Sequence, residues 1–372
     1  MYLISARGHG KGGHFHSLND ISEAMSHYAD VAIFTIGKGV SEVLLKNPYF
    51  KETIYFTGKN IFSLRKRLKR AIASFNPDII HCFDSNTYDM LKLCCISSKA
   101  GIVVNKCGGP NPSAYPEVEE LVLFSIENYN WFHRSGFRNL HLIPNRAKKV
   151  ITAAGLIGYP SKDPRCFTFL RICRIGTAHK KSMVDSIELL HQLQSDKAKL
   201  IIVGVVESEA VLNELKEKSK NLNVEFITEQ KYIIEASKLL YLADVVIATG
   251  RGVFEATSLG LPVLTPVKDK SIPFLIREEN FESFFSTNFS QRNISEKNES
   301  EEINFIKRLL DEPNYYHNIS ELSSKIFQNY FDVAKGAEKY FEIYQSLKEN
   351  QQKKIAYFKN FKLRMKSLKS FL

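Results

Sequence analysis

Short apolar runs alternate along this chain with stretches whose apolar residues recur at helical spacing. Five runs in the first half are rich in aliphatic and β-branched residues and have the character of strands: MYLIS, VAIFTI, DIIHCF, GIVVN and LVLFS. Helical periodicity over 18–27 and 62–75 predicts helices between them. Strands that alternate with helices in this way are typical of parallel sheets joined by crossovers.

The segment PNRAKKVITAAGLIGYPSKDP, which begins at Pro144, interrupts this rhythm with three prolines, two glycines and a polar end. We interpret it as an interdomain linker. The rhythm then restarts with the strand-like runs FTFLRI, KLIIVGVV, VEFIT, DVVIAT and PVLTP, and it gives way to a helical pattern at the carboxyl end. The sequence therefore predicts an α/β protein with two parallel-sheet domains: 1–147, a linker at 148–166, a second domain at 167–330, and C-terminal helices at 331–372.

Charge and composition narrow the class of protein. The 372 residues are 44% hydrophobic, which excludes a disordered or collagen-like chain. Lys and Arg number 51 against 40 Asp and Glu, and this excess of +11 indicates a polyanionic partner: nucleic acid, an acidic membrane surface or a phosphorylated small molecule. We expect a cytoplasmic protein, because the sequence shows no signal-peptide pattern, membrane-spanning run or paired-cysteine motif.

The start of the chain contains a glycine-rich loop. Gly8, Gly10 and Gly13 fit G-x-G-x-x-G between a predicted strand and a helix, where glycine lets the backbone approach a phosphate. The dinucleotide form of this motif needs an acidic residue at the end of the second strand, where the chain reads TIGK. Two interpretations stay open: a cleft lined by Gly12, Gly13 and His14, or a tight turn. The histidines of this loop lack further ligands at metal-binding spacing, so we predict no metal site.

Two cations follow the first strand of the second domain. Arg174 and Lys180 lie six residues apart between FTFLRI and a predicted helix. A loop at the carboxyl end of a parallel strand faces the ligand crevice, and two cations there could grip a diphosphate. The alternative is a solvated basic turn.

A second loop of this domain has the sequence TGRGVFE. Gly250 and Gly252 predict exposed backbone amides at a helix N-terminus, with Arg251 between them and Glu255 in the first turn. A carboxylate at that place could accept hydrogen bonds from ribose hydroxyls. The alternative is that Glu255 caps the helix.

Together these residues resemble a GT-B glycosyltransferase of the retaining family 4 type, over nearly the whole chain. The glycine-rich loop is similar to that family's N-terminal glycine loop, and SIENYNWFHRSGFRNLHLIPN resembles the segment that ends its first domain. Arg174 and Lys180 match the Arg and Lys that contact the donor diphosphate. Glu255, which is followed by GLPV at 260–263, matches the second Glu of the E-x7-E motif.

The resemblance implies two Rossmann-like domains facing across a cleft, with the last helices crossing back to the first domain. It implies transfer of a sugar, with retention, from a nucleotide-diphosphate sugar to a hydroxyl of a glycan or lipid-linked acceptor, in synthesis of a cell-surface polysaccharide such as lipopolysaccharide or capsule. Arg174 and Lys180 would stabilise the leaving diphosphate, Glu255 would hold ribose, and Gly250 to Gly252 would supply amides. No carboxylate cluster such as D-x-D stands in a suitable strand-end loop, so we predict no metal or other cofactor.

The chain also departs from the family pattern. Ile247 stands where the first Glu of E-x7-E contacts the transferred sugar, and Arg251 is a candidate to supply that contact instead. Gly204-Val205-Val206 stands where the nucleotide strand usually ends in G-x-G. Arg146 replaces a linker glycine.

The first domain adds its own candidates for the acceptor side. Lys106 follows GIVVN near the place where family members often have a His beside the reacting sugar, so it is a candidate cleft cation. His81 and Asp84 follow another strand and could also face the cleft. We interpret Cys107 as a plain buried thiol rather than a nucleophile.

Two basic segments carry much of the net charge. The predicted helix 62–75 contains a cluster of five cations: Arg65, Lys66, Arg67, Lys69 and Arg70. The tail 353–372 holds seven Lys or Arg and no acidic residue, with Ile355, Phe358, Phe361, Met365, Leu368 and Leu372 along one helical face. Basic amphipathic helices are typical of surfaces that bind anionic lipid, which predicts peripheral association with the inner face of the cell membrane. The alternative is a terminal helix that packs back on the body.

Other functions stay open beside sugar transfer. They are a sugar-nucleotide epimerase of the same fold, a basic nucleic-acid-binding protein and a non-catalytic membrane scaffold. A nucleotide-sugar donor and an anionic membrane are favoured as partners over nucleic acid, because the cations of the second domain lie in strand-end loops.

Overall fold

A computed structural model of the chain describes residues 1–7, 12–96, 99–349 and 360–372. These residues form two compact units. One consists of Met1–Ala147 together with Val333–Leu372, and the other of Lys148–Asp332. Among the described residues, no helix has the length and apolar character needed to cross a bilayer.

The first unit is built on a seven-stranded parallel sheet in the order β3-β2-β1-β4-β5-β6-β7. Its strands are β1 (Tyr2–Ser5), β2 (Ile33–Gly37), β3 (Phe50–Tyr55), β4 (Ile79–Cys82), β5 (Gly101–Lys106), β6 (Leu121–Leu123) and β7 (Leu140–Leu142). Its first five helices are α1 (Gly13–Met25), α2 (Glu42–Leu45), α3 (Ile61–Phe75), α4 (Ser85–Leu93) and α5 (Ile126–Arg134). The strands at its two edges, β3 and β7, are more polar than the apolar runs that predicted the other five.

The second unit has a six-stranded sheet in the order β10-β9-β8-β11-β12-β13, parallel except for the β12–β13 pair. Its strands are β8 (Phe167–Ile172), β9 (Ala198–Val203), β10 (Val224–Ile227), β11 (Val245–Ile247), β12 (Val263–Thr265) and β13 (Phe274–Leu275). Its helices are α6 (Lys180–Leu193), α7 (Glu209–Lys218), α8 (Gln230–Ile233), α9 (Arg251–Thr257), α10 (Glu278–Ser286), α11 (Glu299–Asp311) and α12 (Pro313–Ile326). Ala236–Leu242 forms a 3₁₀ helix, and Phe327–Phe331 is a π-helix. Two parallel-sheet α/β domains are thus confirmed.

The last two helices, α13 (Val333–Glu349) and α14 (Phe361–Lys369), belong to the first unit. Tyr340 and Tyr344 of α13 reach into the core under the sheet. There the Tyr344 hydroxyl lies 2.6 Å from His81 Nδ1, and the Tyr340 hydroxyl donates to Asn105 Oδ1 at 3.3 Å. Because buried polar groups need partners, this network fixes α13 on the sheet.

In each sheet the order in which successive strands are added reverses at one point, the topological switch point. In the first sheet that point lies between β1 and β4, and in the second between β8 and β11. Loops at the carboxyl ends of the strands on either side of such a point form the usual ligand crevice of open α/β sheets. The loops after β1, β4, β8 and β11 are therefore the places where a ligand site is expected.

Candidate functional site

The two predicted cations of the second unit follow β8, at the switch point of its sheet. The Arg174 Nη1 atom lies 2.8 Å from Glu207 Oε1, and Lys180 Nζ lies 2.6 Å from Glu214 Oε2. Arg174 keeps 61% of its side chain exposed, and Lys180 keeps 40%. Salt bridges this exposed contribute little free energy, so a bound anion could take over both cations at small cost.

The loops after β8 and β9 approach each other closely. A Cβ atom on Gly204 would lie 1.7 Å from the carbonyl oxygen of Cys173, so only glycine fits. Beyond this point Ile175 and Val206 pair as a parallel bridge, which brings Glu207 beside Arg174. One glycine in the sequence Gly204-Val205-Val206 thus suffices for the close approach of the two loops.

The loop after β11 lies on the other side of the switch point. Gly250 precedes α9 with φ +50° and ψ −121°, a conformation that favours glycine. The sequence predicted Glu255 in the first turn of α9, but it lies in the second turn, so the alternative that it caps the helix is also wrong. Its Oε1 atom instead accepts a 2.7 Å bond from Arg251 Nε. The N–H of Gly252 donates to the Thr249 carbonyl at 3.2 Å, so this amide is already engaged, contrary to the expectation that Gly252 supplies a free one.

The structure explains the missing glutamate of the family motif. Ile247 is the last residue of β11 and is fully buried, so the position where the motif has its first glutamate lies in the sheet and not in the loop that follows. Arg251, the sequence candidate for the lost contact, pairs with Glu255 instead.

Arg171 lies beside the candidate loops and was not singled out from the sequence. It lies in β8, only 1% exposed, and its guanidinium joins the two halves of the site. Nη1 donates to the Ile247 carbonyl at 3.0 Å, and Nη2 donates to Ser182 Oγ of α6 at 3.0 Å. An arginine within the otherwise apolar run FTFLRI was the available signal.

Asn288 is a second residue that the sequence did not single out. Asn288 and Phe289, directly after α10, both have left-handed backbones, with φ +57° and +51°. Such conformations cost free energy in non-glycine residues and cluster at functional sites. The Asn288 side-chain amide nitrogen lies 3.5 Å from the position of a Cβ atom on Gly250. The strained pair therefore borders the loop that follows β11.

The glycine-rich loop of the first unit is described only in part, because residues 8–11 lie outside the described ranges. Gly12 is the N-cap residue of α1, and Gly13 is its first residue. The ring of His14, an exposed residue, lies against Phe15 with centroids 4.3 Å apart. Ser17 donates to Asn145 Oδ1 at 2.7 Å, which ties this helix to the IPN segment. Gly12, Gly13 and the start of α1 therefore lie beside the end of the first domain.

Lys106 ends β5 and holds the loop that follows. Its Nζ atom donates to the Gly108 carbonyl and lies 3.4 Å from Asn128 Oδ1. Asn128, on α5, donates in turn to the Gly109 carbonyl at 3.1 Å and to Asn111 Oδ1 at 2.9 Å. The ammonium group is thus built into a polar loop closure, and its role toward an acceptor stays a prediction.

The expectation that His81 faces a cleft is wrong. His81 lies within β4, 1% exposed, with Nε2 3.0 Å from Asn105 Oδ1. Burial lowers its pKa to about 3, so the ring is neutral and serves the core. Asp84 is the N-cap of α4 and accepts from the Thr87 N–H at 2.8 Å and the Ser5 N–H at 2.7 Å. Burial raises the pKa of Cys107 to about 12, which fits a plain thiol.

Arg146, which stands where the linker usually has a glycine, packs against a glycine of α13. Its side chain is 3% exposed and lies along α13, where a Cβ atom on Gly336 would come within 2.2 Å of its Cδ. Only glycine at position 336 leaves room for this side chain. Over the described residues, no group of three His, Cys, Asp or Glu side chains could hold a metal ion.

Comparison with known proteins gives structural but not sequence likeness. No protein-family model matches the chain, and no curated protein matches its sequence. Anabaena Alr3699/HepE, crystallised with UDP, is 16% identical with a TM-score of 0.68 over 93% of this chain and 100% of that one. A Rickettsia africae glycosyltransferase is 15% identical, with a TM-score of 0.66 over 94% and 99%.

A third likeness is to an enzyme of another class. The UDP-GlcNAc 2-epimerase of Neisseria meningitidis, bound to UDP-GlcNAc, is 12% identical with a TM-score of 0.55 over 93% of this chain and 100% of that one. At these identities the likenesses establish the fold alone. They confirm the GT-B fold that the sequence resemblance implied.

Proposed function

We propose that this chain is a glycosyltransferase that moves a sugar from a nucleotide-diphosphate sugar to a hydroxyl of a glycan or lipid-linked acceptor. The observation that carries the proposal is the arrangement around the β8–β11 switch point. Two accessible cations follow one strand, and a glycine turn with a carboxylate follows its neighbour. Anabaena Alr3699/HepE, which has the same fold, was crystallised with UDP.

In this proposal Arg174 and Lys180 bind the diphosphate and stabilise it as its charge grows during departure of the sugar. Charge-assisted hydrogen bonds to phosphate are about twice as strong as neutral ones. Glu207 and Glu214 hold the two cations near their working positions until the anion arrives. The chain then needs no metal or other cofactor to neutralise the diphosphate.

The loop after β11 would hold the rest of the donor. Glu255 would accept hydrogen bonds from ribose, with Arg251 fixing its carboxylate. Gly250 and Asn288 would border the transferred sugar, so Asn288 takes the place that the motif gives to a glutamate. The assignment of Asn288 rests on its side-chain amide nitrogen, which lies 3.5 Å from the position that a Cβ atom on Gly250 would take.

The acceptor side of the proposal lies in the first unit. Gly12, Gly13 and His14 follow β1 at the switch point of that sheet, and Lys106 ends β5 two strands away. We assign these residues to binding of an acceptor used in cell-surface polysaccharide synthesis. The transfer would retain the configuration of the sugar, and the protein would act in the cytoplasm at the inner face of the membrane. The support for these finer points is the family resemblance.

One comparison favours a second function, because the Neisseria epimerase has the same fold and binds a UDP-sugar. The two activities differ in their products. A transferase releases nucleoside diphosphate and a new glycoside, whereas an epimerase of the fold returns a sugar with inverted configuration at one carbon. Product analysis therefore separates them.

The testing experiment is a turnover screen of UDP-, GDP-, ADP- and CMP-sugars, with and without glycan acceptors. We expect one donor to yield free nucleoside diphosphate, and proton NMR of the product to show the anomeric configuration of the donor. Release of an epimerised sugar would favour the second function. Absence of any reaction with every donor and acceptor would contradict the proposal.

A further inference from the structure

Helices α3 and α14 lie on the same face of the first sheet. Leu64 and Leu68 of α3, and Phe371 directly after α14, belong to one buried core cluster. Helix α4 contacts both α3 and α14. The end of α14 also reaches the segment before α3, where the rings of Phe56 and Phe371 are 5.4 Å apart. The two basic segments of the sequence are therefore neighbours.

The helix α14 is docked and does not hang free. Arg364 is fully buried, and its Nε lies 3.9 Å from Oδ1 of Asp89 on α4, itself 1% exposed. Ser367 donates to the other oxygen of Asp89 at 2.5 Å. Leu368 packs against the core that contains Phe371. The expectation that the apolar side of the tail is offered to lipid is therefore wrong for Leu368, which faces the protein, whereas Phe361 and Leu372 of that side are 51% and 62% exposed.

The outward sides of both helices are strongly basic. Neither helix contains an acidic residue. The exposed cations are Lys66, Arg67, Lys69 and Arg70 on α3, and Lys362, Lys366 and Lys369 on α14. None of these seven forms an ion pair with any residue that the structure describes. Each helix also presents one exposed phenylalanine, Phe62 at 79% and Phe361 at 51%.

We propose that α3 and α14 together form one rigid docking face for a bilayer that contains anionic lipids. The seven cations would lie at the level of lipid phosphates, and Phe62 and Phe361 would enter the interface. A bilayer fits better than nucleic acid because the charges spread over the exposed sides of two helices, whereas single-strand binders line a groove. The face lies on the first unit and the candidate nucleotide site on the second, so loss of vesicle binding would contradict the proposed location at the membrane and leave the proposed sugar transfer standing.

The first test removes charge from α3. The full chain is sedimented with vesicles of phosphatidylcholine alone or with phosphatidylglycerol as roughly a third of the lipid. K66Q/R67Q/K69Q/R70Q should weaken binding to the anionic vesicles by roughly 600-fold, since each of the four cations near such a surface contributes about fivefold. The control, K216Q/K218Q/K220Q/K307Q, removes equal charge from the second unit. Equal loss in both variants would mean that only net charge matters, and the proposal would fall.

The second test concerns the two aromatic side chains. F62S/F361S should weaken binding about tenfold with no change in charge, because two apolar side chains leave the interface. The control is V40S/L45S, which changes two exposed aliphatic residues of the same unit, 46% and 53% exposed. Binding that is unchanged in F62S/F361S would remove the two rings from the face.

The third test asks whether α14 acts while docked. F371S should release α14 and reduce vesicle binding although every charge remains, and S367A should do so more mildly. Circular dichroism and nucleotide binding report whether the rest of the chain is folded. Vesicle binding that persists in both variants would show a flexible tether and overturn the rigid face. Binding to oligonucleotides but not to vesicles, lost in the α3 variant, would overturn the choice of partner.

Discussion

Arg171 shows how much one buried side chain can hold in place. Its guanidinium donates to the Ile247 carbonyl of β11 and to Ser182 of α6, and so joins this strand and this helix to β8. The carbonyl would be left without this donor if the side chain were apolar. Buried polar groups that lose a charged partner typically cost 1–3 kcal/mol each.

We predict that Arg171→Met lowers the free energy of unfolding by about 2–4 kcal/mol. The matched change, Arg165→Met, removes an arginine whose side chain is 87% exposed beside Asp163, and it should leave stability within error. Urea denaturation followed by circular dichroism measures both. Similar losses in the two variants would mean that the Arg171 bonds do not support the fold.

His81 makes stability depend on pH with a definite sign. Its folded pKa of about 3 lies below the unfolded value near 6.5, so the unfolded chain binds the extra proton. His81 therefore contributes full stability above pH 6.5 and loses it, by up to about 1.4 kcal/mol per pH unit, as the pH falls toward 3. Asp89, whose pKa burial raises to about 6, acts in the opposite sense.

Because Asp89 is the same in both proteins, comparison of the natural chain with His81→Gln isolates the histidine. The variant should be less stable at pH 7.5, since it loses the contacts to Tyr344 and Asn105. Its stability should fall less steeply between pH 6.5 and 4.5. Parallel pH profiles of the two unfolding free energies would contradict a buried neutral ring.

At the scale of residues, the sequence could predict chemical type and order but not burial. Arg174 and Lys180 are accessible at a strand end, as expected, whereas His81 has a similar sequence setting and lies in the core. Asn288 was invisible because its left-handed backbone and its approach to Gly250 depend on a loop 38 residues away. Contacts of that range do not appear in a local pattern.

At the scale of elements, α13 fits its place because of one glycine. Gly336 passes Arg146 so closely that a Cβ atom would lie 2.2 Å from Cδ of a buried side chain. Intrinsic helix propensity predicts that Gly to Ala stabilises a helix by up to about 1 kcal/mol. Overpacking a buried contact costs about 1–3 kcal/mol, so the clash should prevail.

We therefore predict that Gly336→Ala destabilises the chain by about 1–2 kcal/mol. Adding Arg146→Ala should recover part of the loss, because the clashing atoms are gone, and the double-mutant cycle should show a coupling energy above about 0.5 kcal/mol. Gly13→Ala, with no atom within 4 Å of its Cβ position, serves as a control for stability. Additive effects of the two changes would exclude the contact.

Helices and central strands were predictable because their periodicity reports one buried side. The predicted helix 62–75 matches α3, whose apolar stripe packs on the core. Strands β3 and β7 were not predicted, because edge strands such as FKETIY carry polar residues on their open side. Similarly, Glu255 was expected one turn too early, since helix boundaries are weakly encoded.

At the scale of the whole molecule, alternation of strands and helices was enough to predict two parallel-sheet domains, and the GT-B likeness agrees. The structure also shows where the cations behind the net charge of +11 lie. Part of it lies on the outer sides of α3 and α14, and part lies in the loop after β8. The role proposed for each group of cations follows from their exposure and their neighbouring residues rather than from the total net charge.

The central claim is that the β8–β11 switch point binds a nucleoside diphosphate through its cations. Calorimetric titration of the natural chain, Lys180→Ala and Lys181→Ala with UDP, and with GDP and ADP if UDP is not bound, tests it most directly. Lys180→Ala should weaken binding about 10- to 100-fold, the worth of one charged hydrogen bond, while its neighbour Lys181→Ala should not. Equal affinity of all three proteins, or no binding of any nucleotide, would contradict the account.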